Sequence, residues 1–412
     1  MKVYIYNINS NNTLKMIHMT DIHLACVENK YNIVEQLIKN TTYLNLKNNI
    51  GETPLFVSCK KNNINIVKLL INKGCDLNES TFFKYTPLHI AAINKHYEIA
   101  KLLIFHGAIM DKQNTYNGNT SLHEACTNGC IDIIKLFLKK QELIFIKNKN
   151  NITPLFLIND DNILESLIIS KETDYIIHVL CKNKKKDLLL LAFKNNLNIN
   201  CKDENGNTAL HNLSDNINYE EDLNNSNNID LINLLIENGA DTNIQNKKGE
   251  TLLHKACQYG ILEIVKLLIG KTNINLANNE GMTSLHIACK YDKIETVKLL
   301  LETIKENTID LKINLLLKNK DGFIALYYAC LNNNFDMINL LLENSKSINL
   351  TDIIKIKKNI TNLDIIYILD KYFYPSIKYD VFVNLNPFYM KHLEYIKNIK
   401  SIKTIKLTFP IK

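Results

Sequence analysis

A chain of 412 residues with 46% hydrophobic and 22% charged residues has the composition of a globular protein, and no uninterrupted apolar run reaches the roughly 18 residues that span a bilayer. Twelve glycines and six prolines exclude a collagen-like or linker polymer. All 49 cationic residues are lysine, which meets phosphate as a point charge without the planar fork of guanidinium, so base-specific nucleic-acid readout is not expected.

The charge is uneven: the net +7 comes from residues 353–412, where 11 lysines stand against 4 acids. The chain start, Met1-Lys2-Val3-Tyr4-Ile5-Tyr6-Asn7, lacks the long apolar stretch of a signal peptide. A cytoplasmic protein is expected, the cytoplasm of a host cell included.

After residues 1–19, read as an N-terminal cap, one signature recurs. Thr20-Asp21-Ile22-His23 is followed at intervals of 33, 33, 34 and 33 residues by Thr53-Pro54-Leu55-Phe56, Thr86-Pro87-Leu88-His89, Thr120-Ser121-Leu122-His123 and Thr153-Pro154-Leu155-Phe156. Thr208-Ala209-Leu210-His211, Thr251-Leu252-Leu253-His254, Thr283-Ser284-Leu285-His286 and the divergent Ile324-Ala325-Leu326-Tyr327 continue it at intervals of 43, 32 and 41. An alanine follows the Thr by five residues in most units, and then an apolar stripe at helical spacing, as in Ile264-Val265-Lys266-Leu267-Leu268-Ile269. Two short helices after a turn are predicted for each unit. Gly51, Gly118, Gly206, Gly249, Gly281 and Gly322 supply the turn, and Gly74, Gly107 and Gly239 fit the close of the second helix.

The signature divides the chain into regular units over 20–152, degenerate ones over 153–207, units with insertions over 208–350, and a C-terminal cap with a basic tail over 351–412. In the degenerate stretch Thr153 begins a short unit, and Thr173 to Lys202 reads as another with a poor first helix; the stack is expected to distort there. Asp215 to Asn228 and Glu302 to Leu317 read as insertions, the first bulging into solvent.

Spacing, turn glycine, the T-P-L-H-like helix start and paired apolar helices together resemble the ankyrin repeat over roughly residues 17–350. The resemblance implies an all-α solenoid of about nine to ten helix-turn-helix units with β-turn tips, ending in a short basic segment. It also implies that the repeated Thr and His (Thr53, Thr86, His89, Thr120, His123, Thr208, His211, Thr251, His254, Thr283 and His286) are structural, fixing turn and first helix by hydrogen bonds. Function in such arrays lies on the concave side, and register places Phe82, Phe83, Tyr85, Ile93 and Tyr116 there as protein-binding candidates. In the second half the same register selects Tyr259, Met282, Tyr291, Phe323 and Leu331. Aromatic residues are typical anchors of interfaces.

No catalytic constellation is legible. Six of ten cysteines (Cys26, Cys59, Cys126, Cys257, Cys289 and Cys330) follow the repeat Ala position on the first helix, as small apolar core residues do. Cys126-x3-Cys130 has no matched pair for zinc, and Gly270-Lys271-Thr272 lacks the glycine that a phosphate loop needs five residues earlier. No cofactor and no metal is expected, and protein partners are. The tail alternates Lys and Ile over 397–406, open to reading as a closing strand or helix, a docking module, or a membrane or nucleic-acid contact. Ankyrin proteins of large DNA viruses, which this composition resembles, often end in an F-box-like segment that recruits a ubiquitin-ligase adaptor. Here Leu385-Asn386-Pro387-Phe388-Tyr389-Met390 stands where the L-P-x-E-I-like start belongs. The alternative role is thus the substrate-receptor arm of a ubiquitin ligase.

Overall fold

The computed structural model describes residues 3–8, 14–19, 21–39, 43–215, 226–303, 313–345 and 348–373. It divides into two units, Met1–Asp241 and Thr242–Lys412. The regular secondary structure among the described residues of both is helical apart from one antiparallel hairpin, Val3–Ile8 paired with Leu14–Met19.

After the hairpin, the first unit stacks helix pairs: Asp21–Val27 with Tyr31–Leu37, Pro54–Lys60 with Ile64–Asn72, Pro87–Ile93 with Tyr97–Phe105, and Ser121–Asn128 with Ile131–Leu138. Its last pairs are a single 3-10 turn Pro154–Leu157 with Asp161–Ser170, then Ile176–Lys182 with Lys186–Lys194, and Ala209–Asp215 with Ser226–Glu237. The second unit pairs Leu252–Tyr259 with Leu262–Leu268, Ser284–Lys290 with Ile294–Glu302, Leu326–Leu331 with Phe335–Asn344, and Leu350–Lys357 with Leu363–Phe373.

The Thr-x-x-His spacing makes the first helix and ties it to its neighbour. Thr86 is the N-cap: its Oγ1 accepts the His89 N–H at 3.4 Å, while the His89 Nδ1 accepts the Thr86 N–H at 3.2 Å. Two orphan donors of the first turn are thereby satisfied. The far side of the same ring then reaches the next unit, where Nε2–H donates to the Asn119 carbonyl at 3.1 Å. His123 meets Ile152 at 3.0 Å, and His254 meets Met282 and His286 meets Phe323 at 3.1 Å each. An Nδ1 that accepts a backbone N–H fixes the neutral, Nε2-protonated ring. Burial agrees, pushing His89, His123 and His286 down to about 4 from the usual histidine value of 6.5.

Helices of a regular pair meet at a left-handed residue, Asn62 (φ 60°) or Gly129 (φ 68°) for example, followed by an N–H that bonds back into the first helix, as Asn63 does to Ser58 at 3.0 Å. That closure belongs to the Schellman family. Between stacked pairs run Ile66, Leu70, Leu88, Ile99, Leu103, Leu122 and Ile133, all fully buried. Neither face of a lone pair could be covered this way, which is why the pairs come in stacks.

Several expectations shift. The Thr173 unit has an ordinary seven-residue first helix, Ile176–Lys182; the distortion lies one unit earlier, where the first helix is only the turn Pro154–Leu157. Residues 350–373 form a complete helix pair. Residues 216–225 and 304–312 of the expected insertions, and the tail from 374 with its adaptor-docking reading, lie outside the described residues.

Candidate functional site

The regular repeats project a β-turn finger ahead of the first helix, built by an Asx-type turn. In the finger 114–119, Asn114 N–H donates to the Asn119 carbonyl at 2.9 Å, and Asn114 Oδ1 accepts from the N–H groups of Tyr116 and Asn117 at 3.0 Å. Neighbouring fingers lie close enough to bond through their backbones: Phe82 N–H to Ile50 carbonyl at 3.5 Å, Thr115 to Phe83 at 2.8 Å, and Lys149 to Asn117 at 2.9 Å. In the second unit Asn279 donates to Lys248 and Lys320 to Glu280, both at 2.9 Å. Close approach explains the turn glycine: a Cβ on Gly118, at φ +74°, would sit 2.8 Å from the Lys149 nitrogen. Gln113 Nε2 adds a side-chain tie to the Lys147 carbonyl at 2.8 Å.

On this hydrogen-bonded row Phe82 and Phe83 are 67% and 63% exposed, and Tyr116 on the next finger is 73% exposed. The Thr115–Phe83 bond holds the two tips together. Tyr85 and Ile93 are only half-buried neighbours, and the Tyr85 ring stands edge-on to His89, centroids 5.7 Å apart. In the second unit Tyr291 and Leu331 are exposed at 44% and 45%. Tyr291 borders an open cleft of about 450 Å³ with Lys247, Lys248, Glu280 and Lys290.

Three of the ten selected positions are otherwise engaged. Met282 is fully buried: its carbonyl accepts from His254 and its sulfur from the Tyr328 hydroxyl at 3.9 Å, so it leaves the surface set. Phe323 stacks on Tyr327, centroids 3.8 Å apart, with the Lys355 ammonium 4.4 Å above its ring. Tyr259 is half-buried on the last turn of Leu252–Tyr259. Sequence reasoning also missed Phe105, 81% exposed at the end of a second helix against His106.

A second inter-repeat tie escaped the sequence reading. Asn63 Nδ2 donates to the Cys26 carbonyl at 2.5 Å, His96 Nδ1 bonds the Cys59 carbonyl at 2.8 Å, and Asn332 Nδ2 donates to the Cys289 carbonyl at 2.8 Å. The recurrence of a side-chain donor just past the first helix was the available signal. All ten cysteines are unpaired, and burial pushes Cys26, Cys75 and Cys330 up to about 12, far from the thiolate a nucleophile needs. Among the described residues no three His, Cys, Asp or Glu side chains gather as a metal would require, and no helix is long and apolar enough to cross a membrane.

Comparison with known proteins gives the family. A family model of ankyrin repeats in three copies matches residues 22–114 and 222–313, one of many copies matches 177–215 and 285–342, and a single-repeat model matches 117–143. Together they cover well over half of the chain and pass over 144–176. Over 150 residues the chain is 29% identical to an ankyrin-repeat protein of fowlpox virus (strain NVSL), 34% of either length. The chain thus spans about a third of the curated relative that it matches.

Proposed function

The chain belongs to the ankyrin-repeat family, and from that premise we propose that it acts by binding protein rather than by catalysis, with the fingertip row of the first unit as a principal contact surface. What carries this reading is the exposure of Phe82, Phe83 and Tyr116 on tips held together by the Thr115–Phe83 bond. Three large rings on a rigid row lose little conformational freedom on binding and remove much apolar area from water. Tyr291 and Leu331 form a second, smaller surface in the other unit. Ten unpaired thiols fit a reducing compartment such as the cytoplasm.

The test is the triple variant Phe82→Ser, Phe83→Ser, Tyr116→Ser, compared with the parent chain in affinity purification from a eukaryotic cytosol. Being exposed, the three substitutions leave the urea midpoint nearly unchanged, within about 0.5 kcal/mol per site. Partners held by the row are lost selectively. A variant that retrieves the same proteins in the same amounts refutes the assignment of this row.

A further inference from the structure

The finger row of the first unit is interrupted once. From Ser170, the end of a second helix, the chain reaches Tyr175 and the next first helix almost at once, whereas the regular connection from Asn72 to Thr86 holds a whole finger. One finger is therefore missing between those at 148–152 and 203–207. In every joined pair of fingers the residue after the turn-opening Asn or Thr donates its N–H to the preceding finger, and the equivalents across the gap are the Asn150 carbonyl and the Glu204 N–H. Among the described residues neither meets a backbone partner. Among the described residues a side-chain pair crosses directly, the Lys147 ammonium with the Glu204 carboxylate.

Beneath the gap is a cavity of about 210 Å³. One wall is aromatic, the rest mixed: Tyr175 meets Phe145 and Phe156 edge-on, with centroids 5.2 and 6.1 Å away, and stacks on His178 at 4.8 Å. The rim charges are already matched, Lys147 by Glu204, Lys182 by the face of Phe156 at 4.2 Å, and Asp203 by the Asn212 amide at 3.1 Å. The buried Thr153 hydroxyl on the wall makes no hydrogen bond of ordinary length, touching the Tyr175 phenol only at longer range.

We propose that this gap is a peptide-binding slot, which takes a reverse turn from a partner protein in place of the missing finger. The turn gives one N–H to Asn150 and accepts one from Glu204, and an uncharged side chain enters the aromatic cavity. The required shape is drawn in the chain itself, since the finger 114–119 offers both groups: the Thr115 N–H, which donates to Phe83, and the Asn117 carbonyl, which accepts from Lys149. Backbone pairing supplies the register, as when an extended peptide adds to an open sheet edge. A neutral rim leaves no charge preference, so a turn of uncharged residues is the partner that fits.

The probe is a synthetic peptide of residues 111–120, titrated into the full chain while amide exchange and chemical shifts are followed residue by residue. With the peptide at ten times its dissociation constant, exchange at Glu204 slows about tenfold, and resonances of Asn150 and Tyr175 move with it. Two variants separate the N–H from the carboxylate. Glu204 follows the residue that opens a turn closed by Gly206 N–H on the Asp203 carbonyl, a place where proline fits; Glu204→Pro loses the peptide response and Glu204→Ala keeps it. A copy of residues 107–119 inserted after Glu172 fills the slot in cis and abolishes peptide binding. The triple variant of the fingertip row binds the peptide as the parent does, so the slot and the row fail or stand separately. A Glu204 amide indifferent to the peptide, or a response confined to other fingers, overturns the proposal. So does protection of Glu204 that rises with protein concentration alone, which makes a second copy the occupant.

Discussion

Thr86 and Thr153 both precede Pro-Leu, yet they head very different repeats. Thr86 finds His89 three residues on, closes a reciprocal cap and starts a seven-residue helix. Thr153 finds Phe156, makes no cap bond and starts a single 3-10 turn. The missing histidine is not sufficient cause, because Thr53 also faces a phenylalanine, caps the Phe56 N–H at 3.2 Å and still heads Pro54–Lys60. What differs is the next start signal. The second helix begins eleven residues after Thr53, at Ile64, but eight after Thr153, at Asp161, where Asp160 caps the Asn162 N–H at 2.9 Å. A strong N-cap placed early cuts the first helix short, and the finger that should follow the second helix is lost as well. Stacking survives through His178, which reaches the Cys201 carbonyl at 3.0 Å as the regular histidines reach theirs. Helix pairs therefore tolerate a shortened repeat, whereas the finger row does not.

The largest effect expected from this comparison is on acid stability. His89 and His123 sit near 4 in the fold and near 6.5 in the unfolded chain. A depressed value means that the folded state resists protonation, so stability is complete above about 6.5 and is lost as pH falls toward about 4, by up to about 3 kcal/mol for each ring. Urea midpoints taken from pH 7.5 to 4.5 should fall steeply, and His89→Gln, which cannot protonate, should flatten part of the slope. A midpoint that holds steady across that window contradicts the role of these buried, neutral histidines as ties between repeats.

A smaller and more local contrast comes from the turns. Gly118→Ala puts a Cβ 2.8 Å from the Lys149 nitrogen in a left-handed backbone and should cost about 2–4 kcal/mol. Asn151, also left-handed at φ 58°, faces the gap, and Asn151→Ala should cost about 1 kcal/mol. Equal costs at the two positions, measured by denaturant titration, would show that the fingers do not press on one another.

Much of this was legible in the sequence, and the unreadable parts have physical reasons. The Thr-x-x-His spacing exposes the pairs because one ring serves both cap and neighbour. The missing finger was signalled by Thr173 lying only 20 residues after Thr153, but the interval does not say which segment was deleted; competition between caps decides that. Met282 was misplaced because register marks the finger position without saying which side of the turn is covered by Tyr328. Phe323 was selected by register as an aromatic anchor, and its neighbour Tyr327 stacks on its face.

The central claim, that the fingers of the first unit form one hydrogen-bonded row broken at the Thr153 repeat, is tested most directly by site-resolved amide exchange on the free chain at neutral pH. Thr115 and Lys149, whose N–H groups meet the carbonyls of Phe83 and Asn117, should exchange slowly, while Glu204 exchanges at close to the rate of an open turn. Comparable protection at all three amides would contradict the break and the account built on it.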